Sequence, residues 1–374
     1  MEVAAKEMDC DVVIIGAGLI GLSAADSLLR RGASVMIAEI KPSPMCGTSA
    51  QNSGMVHPSQ ALPWAELELC ADARRAAAEA VFELAQKSAA IIEARAKSLS
   101  LPQAARARGC LQIFETHAAL RAAKAGYEAL GADCRQAVAK DFGRAKAFGG
   151  RPALFFAQDS SGNARDYGLA LADDLAARGA VFHTGQGAMI WKDGGRAIGV
   201  RLGNKDIRAA HTVLAAGPQS REIAARAGLD LPLSTLTGWA VNFKTPQGVA
   251  LPNYPVMDAQ SRSALTVFGD VLRLSGTAGE ADAAPLLARW EALMPDIFAA
   301  LGDQLPSPLA PPRRAERPIS MTGAPLIGRS HVPGLWVNTG HGHMGWTLCA
   351  GSGELLAGLM EGAPSDPRFA VKTA

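Results

Sequence analysis

The feature of this sequence that most restricts its fold is a glycine motif at residues 16–21, which reads GAGLIG. An apolar segment, Asp11–Ile15, precedes the motif, and the helix-forming segment Leu22–Arg30 follows it. A second apolar segment, Ser34–Ala38, comes next and leads into Glu39. This order of strand, glycine turn, helix and strand is typical of a unit that binds a dinucleotide.

Each glycine of the motif has a physical role. Gly16 permits a tight turn, Gly18 lets a pyrophosphate approach the backbone, and Gly21 lets the helix pack closely on the strand. The start of the helix offers free N–H groups and a positive dipole end to the phosphates. Glu39 can accept hydrogen bonds from both hydroxyls of an adenosine ribose. These residues alone do not distinguish NAD from FAD.

The composition predicts an ordinary globular enzyme of one large or two medium domains, because the chain has 374 residues, 48% hydrophobic and 19% charged. A net charge of +2 without a basic cluster argues against nucleic acid as a partner. The six cysteines form no CxxC pair, so reduced thiols of a cytoplasmic protein are expected. We expect no signal peptide. Pro333 interrupts the uncharged stretch 330–353, so we expect no membrane span there, and peripheral contact with the inner membrane is left open.

Hydrophobic periodicity predicts the further elements. The predicted helices are Trp64–Ser98, His117–Leu130, Ala164–Arg178 and Trp346–Met360. The predicted strands are Arg108–Phe114, Val181–His183, Met189–Lys192, Ala197–Leu202 and Thr212–Ala216, with a hairpin at Leu265–Ser275 and a Pro-rich connector at Leu305–Pro312. Nucleotide-binding pieces therefore occur at the start, in the middle and at the end of the chain, with two inserted segments between them.

Four further segments favour FAD over NAD. Thr48–Met55 offers hydroxyl and amide groups to a pyrophosphate and to the edge of a flavin. Leu214–Gly217 ends a strand in small residues, where backbone can lie close to a cofactor. Arg317–Gly328 is the third segment. The fourth, Gly340–Thr347, is a glycine-rich loop before the last helix, and the helix dipole there can stabilise an anionic reduced flavin.

With these segments, the chain resembles the D-amino-acid oxidase-like family of FAD-dependent oxidoreductases, and within it the bacterial D-amino-acid dehydrogenases. The segments that carry the resemblance read GAGLIGLSAADSLLRRG, TSAQNSGMVHPSQALPWA, SALTVFGDVLRLSGTAGE, RPISMTGAPLIG and NTGHGHMGWTLCAGSGELLAGL. The resemblance implies an α/β fold with a Rossmann-like FAD-binding domain, in which helices cover a parallel sheet, and an inserted α+β substrate domain with an antiparallel sheet. The implied FAD-binding domain is 9–62 plus 153–222 plus 313–374, and the implied substrate domain is 63–152 plus 223–312.

The reaction that the resemblance implies is oxidation of the Cα–N bond of a D-amino acid or D-imino acid, such as a D-proline derivative. A hydride passes to flavin N5, and the electrons pass to a quinone or a partner protein. In relatives, an arginine before the proline of the RP motif grips the substrate carboxylate, and Arg317 has that position. His343 has a position that faces the substrate in some relatives, so Arg317 and His343 are the expected catalytic-site residues. His57 is a weaker candidate, and Arg273 is the second choice for the carboxylate.

The expected cofactor is non-covalent FAD, since Ala315 and Glu316 lie where relatives with covalent flavin carry a cysteine. No metal is expected, because His341 and His343 lack a third ligand nearby in the sequence. The expected cofactor-binding residues are Gly16, Gly18, Leu19, Ile20, Gly21, Glu39, Ile40, Lys41, Thr48, Ser49, Gln51, Asn52, Ser53, Gly54, Met55, Ala188, Ala216, Gly217, Gly340, Gly342, His343, Met344, Gly345, Trp346 and Thr347.

Other functions remain open at this point. One is a glycine/sarcosine-type or D-amino-acid oxidase that produces hydrogen peroxide. Another is the flavin subunit of a multi-subunit hydroxyproline or opine dehydrogenase, since the chain is shorter than the dehydrogenases that it resembles. A third is a non-catalytic FAD-binding scaffold or assembly subunit, which Arg317 beside an intact flavin loop disfavours.

Overall fold

A computed structural model describes residues 8–63, 67–101, 107–142, 148–276, 282–302, 305 and 308–372. The helices are α1 (Leu19–Leu29), α2 (Ala71–Ser98), α3 (His117–Ala129), α4 (Ala164–Ala177), α5 (Ser220–Arg226), α6 (Ala284–Leu293), α7 (Pro295–Leu301) and α8 (Gly345–Met360). The strands are β1 (Cys10–Ile15), β2 (Val35–Glu39), β3 (Met55–Val56), β4 (Ala107–Ile113), β5 (Arg135–Gln136), β6 (Ala153–Ser161), β7 (Val181–Thr184), β8 (Ala188–Asp193), β9 (Arg196–Leu202), β10 (Lys205–Leu214), β11 (Leu233–Lys244), β12 (Val256–Asp258), β13 (Ser263–Phe268), β14 (Val271–Gly276), β15 (Arg313–Ser320), β16 (Leu326–Arg329) and β17 (Leu335–Thr339).

The first sheet is built around β1. Within the described residues it has eight strands, with β16-β17-β10-β1-β2-β7 in order and the antiparallel pair β8 and β9 attached to β10. Strands β17, β10, β1, β2 and β7 run parallel, and β16 is antiparallel to β17. This sheet, with its helices, confirms the predicted α/β class.

The apolar sequence of β1 follows from burial on both faces of the sheet, as a central parallel strand requires. Ile14 faces a core that includes Leu22 of α1 and Leu348 of α8. Val13 faces the opposite core, which includes Leu214 of β10 and Ala224 of α5.

Helix α8 fits against α1 and α2 because small residues face both neighbours. The N–H of Gly351 donates to Oγ of Ser88 on α2 at 2.9 Å. A Cβ added at Gly353 would lie 2.5 Å from the carbonyl oxygen of Ser23 on α1. The three helices therefore approach at distances that larger side chains would prevent.

The second sheet is mostly antiparallel. Within the described residues it has nine strands, with β15-β11-β14-β13-β12-β4-β6-β3 in order and β5 beside β6. Helices α6 and α7 contribute Trp290 and Phe298 to the core on this sheet, and the indole N–H of Trp290 donates to Oγ of Ser263 at 2.9 Å. Strands β3, β6 and β15 lie in this sheet, although the predicted ranges place them in the FAD-binding domain. These strands carry the chain across to the second sheet, and the domain division itself stays a prediction.

Most predicted elements occur within one or two residues of their expected ends. Helix α1 begins at Leu19 and not at Leu22, because the N–H of Leu22 already donates to the carbonyl of Gly18 at 3.0 Å. The long helix begins at Ala71, since residues 67–70 are not helical and residues 64–66 lie outside the described residues.

Several strands were not predicted, among them β6, β11, β15, β16 and β17, and β10 begins at Lys205 and not at the predicted Thr212. The sequence of β15, RRAERPIS, lacks apolar alternation and contains proline, which is tolerated at the edge of a sheet where β15 lies. Residues 306–307 of the predicted Pro-rich connector lie outside the described residues. In the part of the chain that the structure describes, no helix is long and apolar enough to span a membrane.

We predict that Gly353→Ala destabilises the protein by about 1–3 kcal/mol, because the added methyl group would overlap the backbone of α1. Gly358→Ala on the same helix is the matched control, since its Cβ would meet nothing closer than 3.7 Å. The better helix propensity of alanine should leave that variant equally stable or more stable, by up to about 1 kcal/mol. Thermal unfolding at one FAD concentration measures both, and equal melting temperatures would contradict the close packing of α8 on α1.

Candidate functional site

A cavity of about 940 Å³ lies at the carboxyl ends of the parallel strands. Ile15 of β1, Glu39 of β2, Ala215 after β10 and Thr339 of β17 all line it. Ligands of open parallel sheets bind at this edge, and the volume is at the upper end for a ligand pocket. We call it the cofactor cavity.

The glycine turn opens the backbone to this cavity. Gly16 has a φ of 111°, and a Cβ there would lie 2.4 Å from the carbonyl oxygen of Ala215. At Gly18 the nearest atom to an added Cβ would be Oγ of Ser49, at 2.9 Å. Gly21 lies beneath the turn, where a Cβ would lie 1.9 Å from the carbonyl oxygen of Gly16. Gly21 therefore serves helix packing, while Gly16 and Gly18 line the cavity.

The carboxylate of Glu39 is held in the cavity wall by two backbone N–H groups. Ala17 donates to Oε2 at 2.7 Å, and Lys41 donates to Oε1 at 2.8 Å. Each carboxylate oxygen can accept a further hydrogen bond. The geometry thus fits two ribose hydroxyls, and it explains why an acid ends β2.

The segment Thr48–Met55 is fixed by its own polar groups. Oγ1 of Thr48 donates to the carbonyl oxygen of Glu316 at 2.8 Å. Nδ2 of Asn52 donates to the carbonyl of Ser49 at 2.6 Å, and its Oδ1 accepts from the N–H of Gly54 at 2.7 Å. Hydrogen bonds within the segment and to β15 therefore hold its shape, and we call it the flavin loop.

Helix α8 and a buried arginine support the flavin loop from behind. Nε1 of Trp346 donates to the carbonyl of Gly54 at 3.3 Å, and Oγ1 of Thr347 accepts from the N–H of His57 at 3.1 Å. Nη1 of Arg273 on β14 donates to the carbonyl of Asn52 at 3.1 Å. The second-choice residue for the substrate carboxylate thus holds the loop instead.

The structure brings most of the expected cofactor-binding residues together. The residues that line the cofactor cavity are Gly16, Gly18, Leu19, Ile20, Glu39, Ile40, Lys41, Thr48, Ser49, Gln51, Asn52, Ala188, Ala216, Gly217, Gly342, His343, Gly345 and Trp346. Ser53 lines a neighbouring cavity instead. The structure does not place the remaining expected residues in the lining of either cavity; they are Gly21, Gly54, Met55, Gly340, Met344 and Thr347. The glycine turn, the paired carboxylate and the space fit FAD.

The neighbouring cavity has a volume of about 250 Å³ and lies between the flavin loop and the second sheet. Asn52, Arg317 and His343 line both cavities. A group bound in the second cavity would therefore meet the cofactor cavity at these three side chains. We call this neighbouring cavity the second cavity.

Arg317 extends its guanidinium over Gly238, on the adjacent strand β11. A Cβ at Gly238 would lie 2.2 Å from Nη1 of Arg317, so only glycine leaves room for the guanidinium. Nη1 is buried and has no hydrogen-bond partner among the described residues. Burial lowers the pKa of Arg317 to about 10, which leaves it protonated at neutral pH. A buried cationic donor in this state favours an anionic ligand.

Two histidines stack beside Arg317. The rings of His57 and His343 have centroids 6.2 Å apart and an interplanar angle of 15°. Burial lowers the pKa of His57 to about 4. Burial, followed by the charges of His57, Arg317 and Arg262, lowers the pKa of His343 to about 3. Both imidazoles are therefore neutral at neutral pH.

The pair His341 and His343 does not form a metal site with other side chains. Among the described residues, no group of three or more His, Cys, Asp or Glu side chains could hold a metal ion. His341 instead lines the cofactor cavity, and burial lowers its pKa to about 3.

Neither Gly238 nor Gln60 was predicted from the sequence, and the structure places Arg273, the second choice for the carboxylate, against the flavin loop. Gly238 and Arg273 act on segments that are distant in sequence, so no local motif marks them. Gln60 follows the flavin loop closely and lies near His57 in the sequence, and this position could have made it a candidate.

Comparisons with known proteins agree with this geometry. The family model described as "DAO: FAD dependent oxidoreductase" matches residues 11–359. A D-amino acid dehydrogenase of Cereibacter sphaeroides is 29% identical, over 94% of this chain and 92% of the relative. The corresponding protein of Bradyrhizobium diazoefficiens is 27% identical, over 94% and 95%.

Solved structures show the same fold. A glycine oxidase from Geobacillus kaustophilus superposes with a TM-score of 0.80 at 22% identity, over 97% of this chain and 98% of that one. An iminodiacetate oxidase from Chelativorans sp. BNC1 gives 0.77 at 21% identity, over 96% and 98%. The family match extends from β1 to α8, so this chain belongs to the DAO family of FAD-dependent oxidoreductases.

Proposed function

We propose that this protein is a dehydrogenase that oxidises the Cα–N bond of a D-amino acid or D-imino acid and passes the electrons to a quinone or a partner protein. The observation that carries the proposal is the buried, unpartnered Nη1 of Arg317 where the two cavities meet. The names of the Cereibacter and Bradyrhizobium relatives support the D-amino acid as substrate.

Arg317 would bind the substrate carboxylate through two parallel hydrogen bonds, which fixes the direction of the Cα–H bond. The neutral ring of His343 lines the same junction and adds no positive charge beside the substrate amine. An amine that arrives neutral needs no general base. Bound FAD supplies the hydride acceptor. The imino acid that results hydrolyses to a 2-oxo acid and ammonia, or remains a cyclic imine when the substrate is a proline derivative.

We predict that FAD is bound non-covalently and is released by acid or denaturant. The cavity wall includes one cysteine among the described residues, Cys46, whose Sγ lies 3.0 Å from Oγ of Ser43. Absorbance of the supernatant after acid precipitation measures the release. Flavin that stays with the parent chain but leaves a Cys46→Ser variant would identify that thiol as an attachment point and contradict the prediction.

Glu39→Ala should weaken FAD binding by about 1.5–3 kcal/mol, because the ribose hydroxyls lose a charged acceptor. Titration of the apoprotein with FAD measures the affinity. Glu93→Ala, at a half-buried glutamate on α2 that does not line the cavity, is the matched control and should leave the FAD affinity unchanged. An unaltered FAD affinity in Glu39→Ala would remove Glu39 from the site.

Arg317→Leu should keep the fold and the flavin spectrum but lose amino-acid oxidation. Loss of a charged partner for a desolvated carboxylate costs on the order of 2–5 kcal/mol, or roughly thirty- to several-thousand-fold in kcat/KM. Arg317→Lys should recover only part of the activity, since an ammonium does not hold both oxygens. Substrate amides, which lack the carboxylate, should be poor with the parent enzyme and little affected by the substitution.

Gly238→Ala tests the same contact from the opposite strand. The methyl group should displace the guanidinium of Arg317 and lower kcat/KM for amino acids while FAD stays bound. In the Arg317→Leu background, Gly238→Ala should have little further effect, because the contact is already gone. Additive losses, or loss of FAD in either variant, would show that Arg317 is a structural residue and not the carboxylate ligand.

We also expect oxygen to be a poor electron acceptor compared with a quinone analogue or an artificial dye. This expectation depends on the likeness to dehydrogenases. Oxygen consumption and dye reduction, measured with the same substrate, compare the two acceptors. Rapid, stoichiometric peroxide formation in air would instead favour an oxidase of the glycine/sarcosine or D-amino-acid type. Activity only with an added partner would favour a flavin subunit of a hydroxyproline or opine dehydrogenase.

A further inference from the structure

The second cavity extends beyond Arg317. Besides Nη1 of Arg317, it is lined by residues with further unpartnered polar atoms, which a substrate carboxylate bound to Arg317 would not pair. Nε2 of Gln60 and Nδ1 of His57 are buried, and neither has a hydrogen-bond partner among the described residues. Both residues line this cavity, and their exposed fractions are 6% and 3%. Because buried polar groups are normally paired, these atoms indicate a ligand that brings its own polar groups.

Hydrogen bonds fix the backbone around Gln60, whereas Nε2 of its side-chain amide has no hydrogen-bond partner among the described residues. The N–H of Gln60 donates to the carbonyl of His57 at 3.1 Å, and its carbonyl oxygen lies 3.5 Å from Nε2 of His343. Its neighbour Ser59 hydrogen-bonds the buried carboxylate of Asp159 through both its N–H and its hydroxyl. Gln60 thus lines the cavity from a turn that hydrogen bonds fix, and the Nε2 of its amide is left without a partner among the described residues.

The other glutamine of the cavity is already engaged. Oε1 of Gln112 accepts a hydrogen bond from the hydroxyl of Tyr127 at 2.9 Å, and its Nε2 lies 3.8 Å from Sδ of Met257. Of these two glutamines, Gln60 is therefore the one whose amide nitrogen can still donate a hydrogen bond to a ligand.

The charges of the cavity wall restrict the ligand further. Arg317 and Arg262 line it, while no Asp or Glu among the described residues does so. A cationic side chain would therefore be buried there without an acidic partner among the described wall residues. An uncharged polar group or a carboxylate would not have this cost.

We propose that Gln60 determines substrate specificity, and that the preferred substrates are amino acids whose side chain carries an uncharged or anionic hydrogen-bonding group. This inference rests on the proposed function, in which Arg317 holds the α-carboxylate. The amide of Gln60 can donate and accept, so it suits a hydroxyl, an amide or a carboxylate. A hydrocarbon side chain would leave Nε2 of Gln60 and Nδ1 of His57 without hydrogen-bond partners. A lysine or arginine side chain would be buried without an acidic partner among the described wall residues.

The test compares substrates of nearly equal shape. Anaerobic reduction of the bound flavin is followed with D-threonine against D-valine and with D-asparagine against D-leucine, and the L-forms serve as a check on chirality. The polar member of each pair should be preferred by about ten- to a hundred-fold in the reduction rate at low substrate. D-lysine should be the poorest of the panel.

The variant Gln60→Met keeps the unbranched shape and removes the hydrogen-bonding amide. Its threonine-to-valine and asparagine-to-leucine ratios should fall toward one, while its FAD content stays that of the parent. Gln136→Met, at an exposed glutamine on β5, is the matched control and should keep the parent ratios. Gln60→Glu should retain part of the preference for threonine, because a carboxylate can still accept from the hydroxyl.

Each outcome separates the two proposals. Equal rates within both pairs in the parent enzyme, or parent ratios in Gln60→Met, would overturn the role of Gln60 and leave amino-acid oxidation intact. Faster reduction by the hydrocarbon members would do the same. No reduction by any amino acid would overturn the proposed function itself. If Gln60→Met fails to fold, the parent ratios and Gln60→Glu decide the question.

Discussion

The close approach of two backbones at the end of the first sheet is the constraint on which the site depends. Gly16 follows β1 and passes Ala215, which follows β10, at a distance that excludes any side chain. This contact bends the chain into α1 and points the first turn of that helix at the cavity. The parallel strands then place Glu39 and Thr339 at the same edge. The cofactor cavity is therefore a consequence of strand order and one turn.

At the junction of the two cavities, Arg317 is charged at neutral pH while the neighbouring histidines, His57 and His343, are not. Burial shifts the pKa of Arg317 down to about 10, which still leaves a cation at neutral pH. Burial also lowers the pKa of His57 to about 4 and that of His343 to about 3, so both imidazoles are uncharged at neutral pH. The junction thus places the positive charge of Arg317 beside two uncharged imidazoles. Such an arrangement favours an anionic group next to Arg317, and the two histidines add no positive charge of their own.

The cofactor half of the site could be predicted because its signals are local. The glycine motif, Glu39 and the flavin loop each occupy a short segment whose geometry follows from its residue types. Arg317 was found through the short RP motif, although the strand that carries it was not predicted. The unpredicted features depend on contacts between distant segments, namely the space at Gly238 and the support of Asn52 by Arg273. A sequence without aligned relatives gives no signal for such pairs.

Two contacts of β15 join segments that are far apart along the chain. Oγ1 of Thr48, in the flavin loop, bonds the carbonyl of Glu316, which directly precedes Arg317. Two residues after Arg317, Ile319 pairs with His341 in the loop that precedes α8. The strand that carries Arg317 is thereby tied on both sides to segments that line the cofactor cavity. Because β15 also pairs with β11, a shift of the second sheet would move Arg317 and both loops together. The position of Arg317 relative to the wall of the cofactor cavity is thus fixed by contacts of its own strand, close to Arg317, and does not depend on the packing between the two sheets alone.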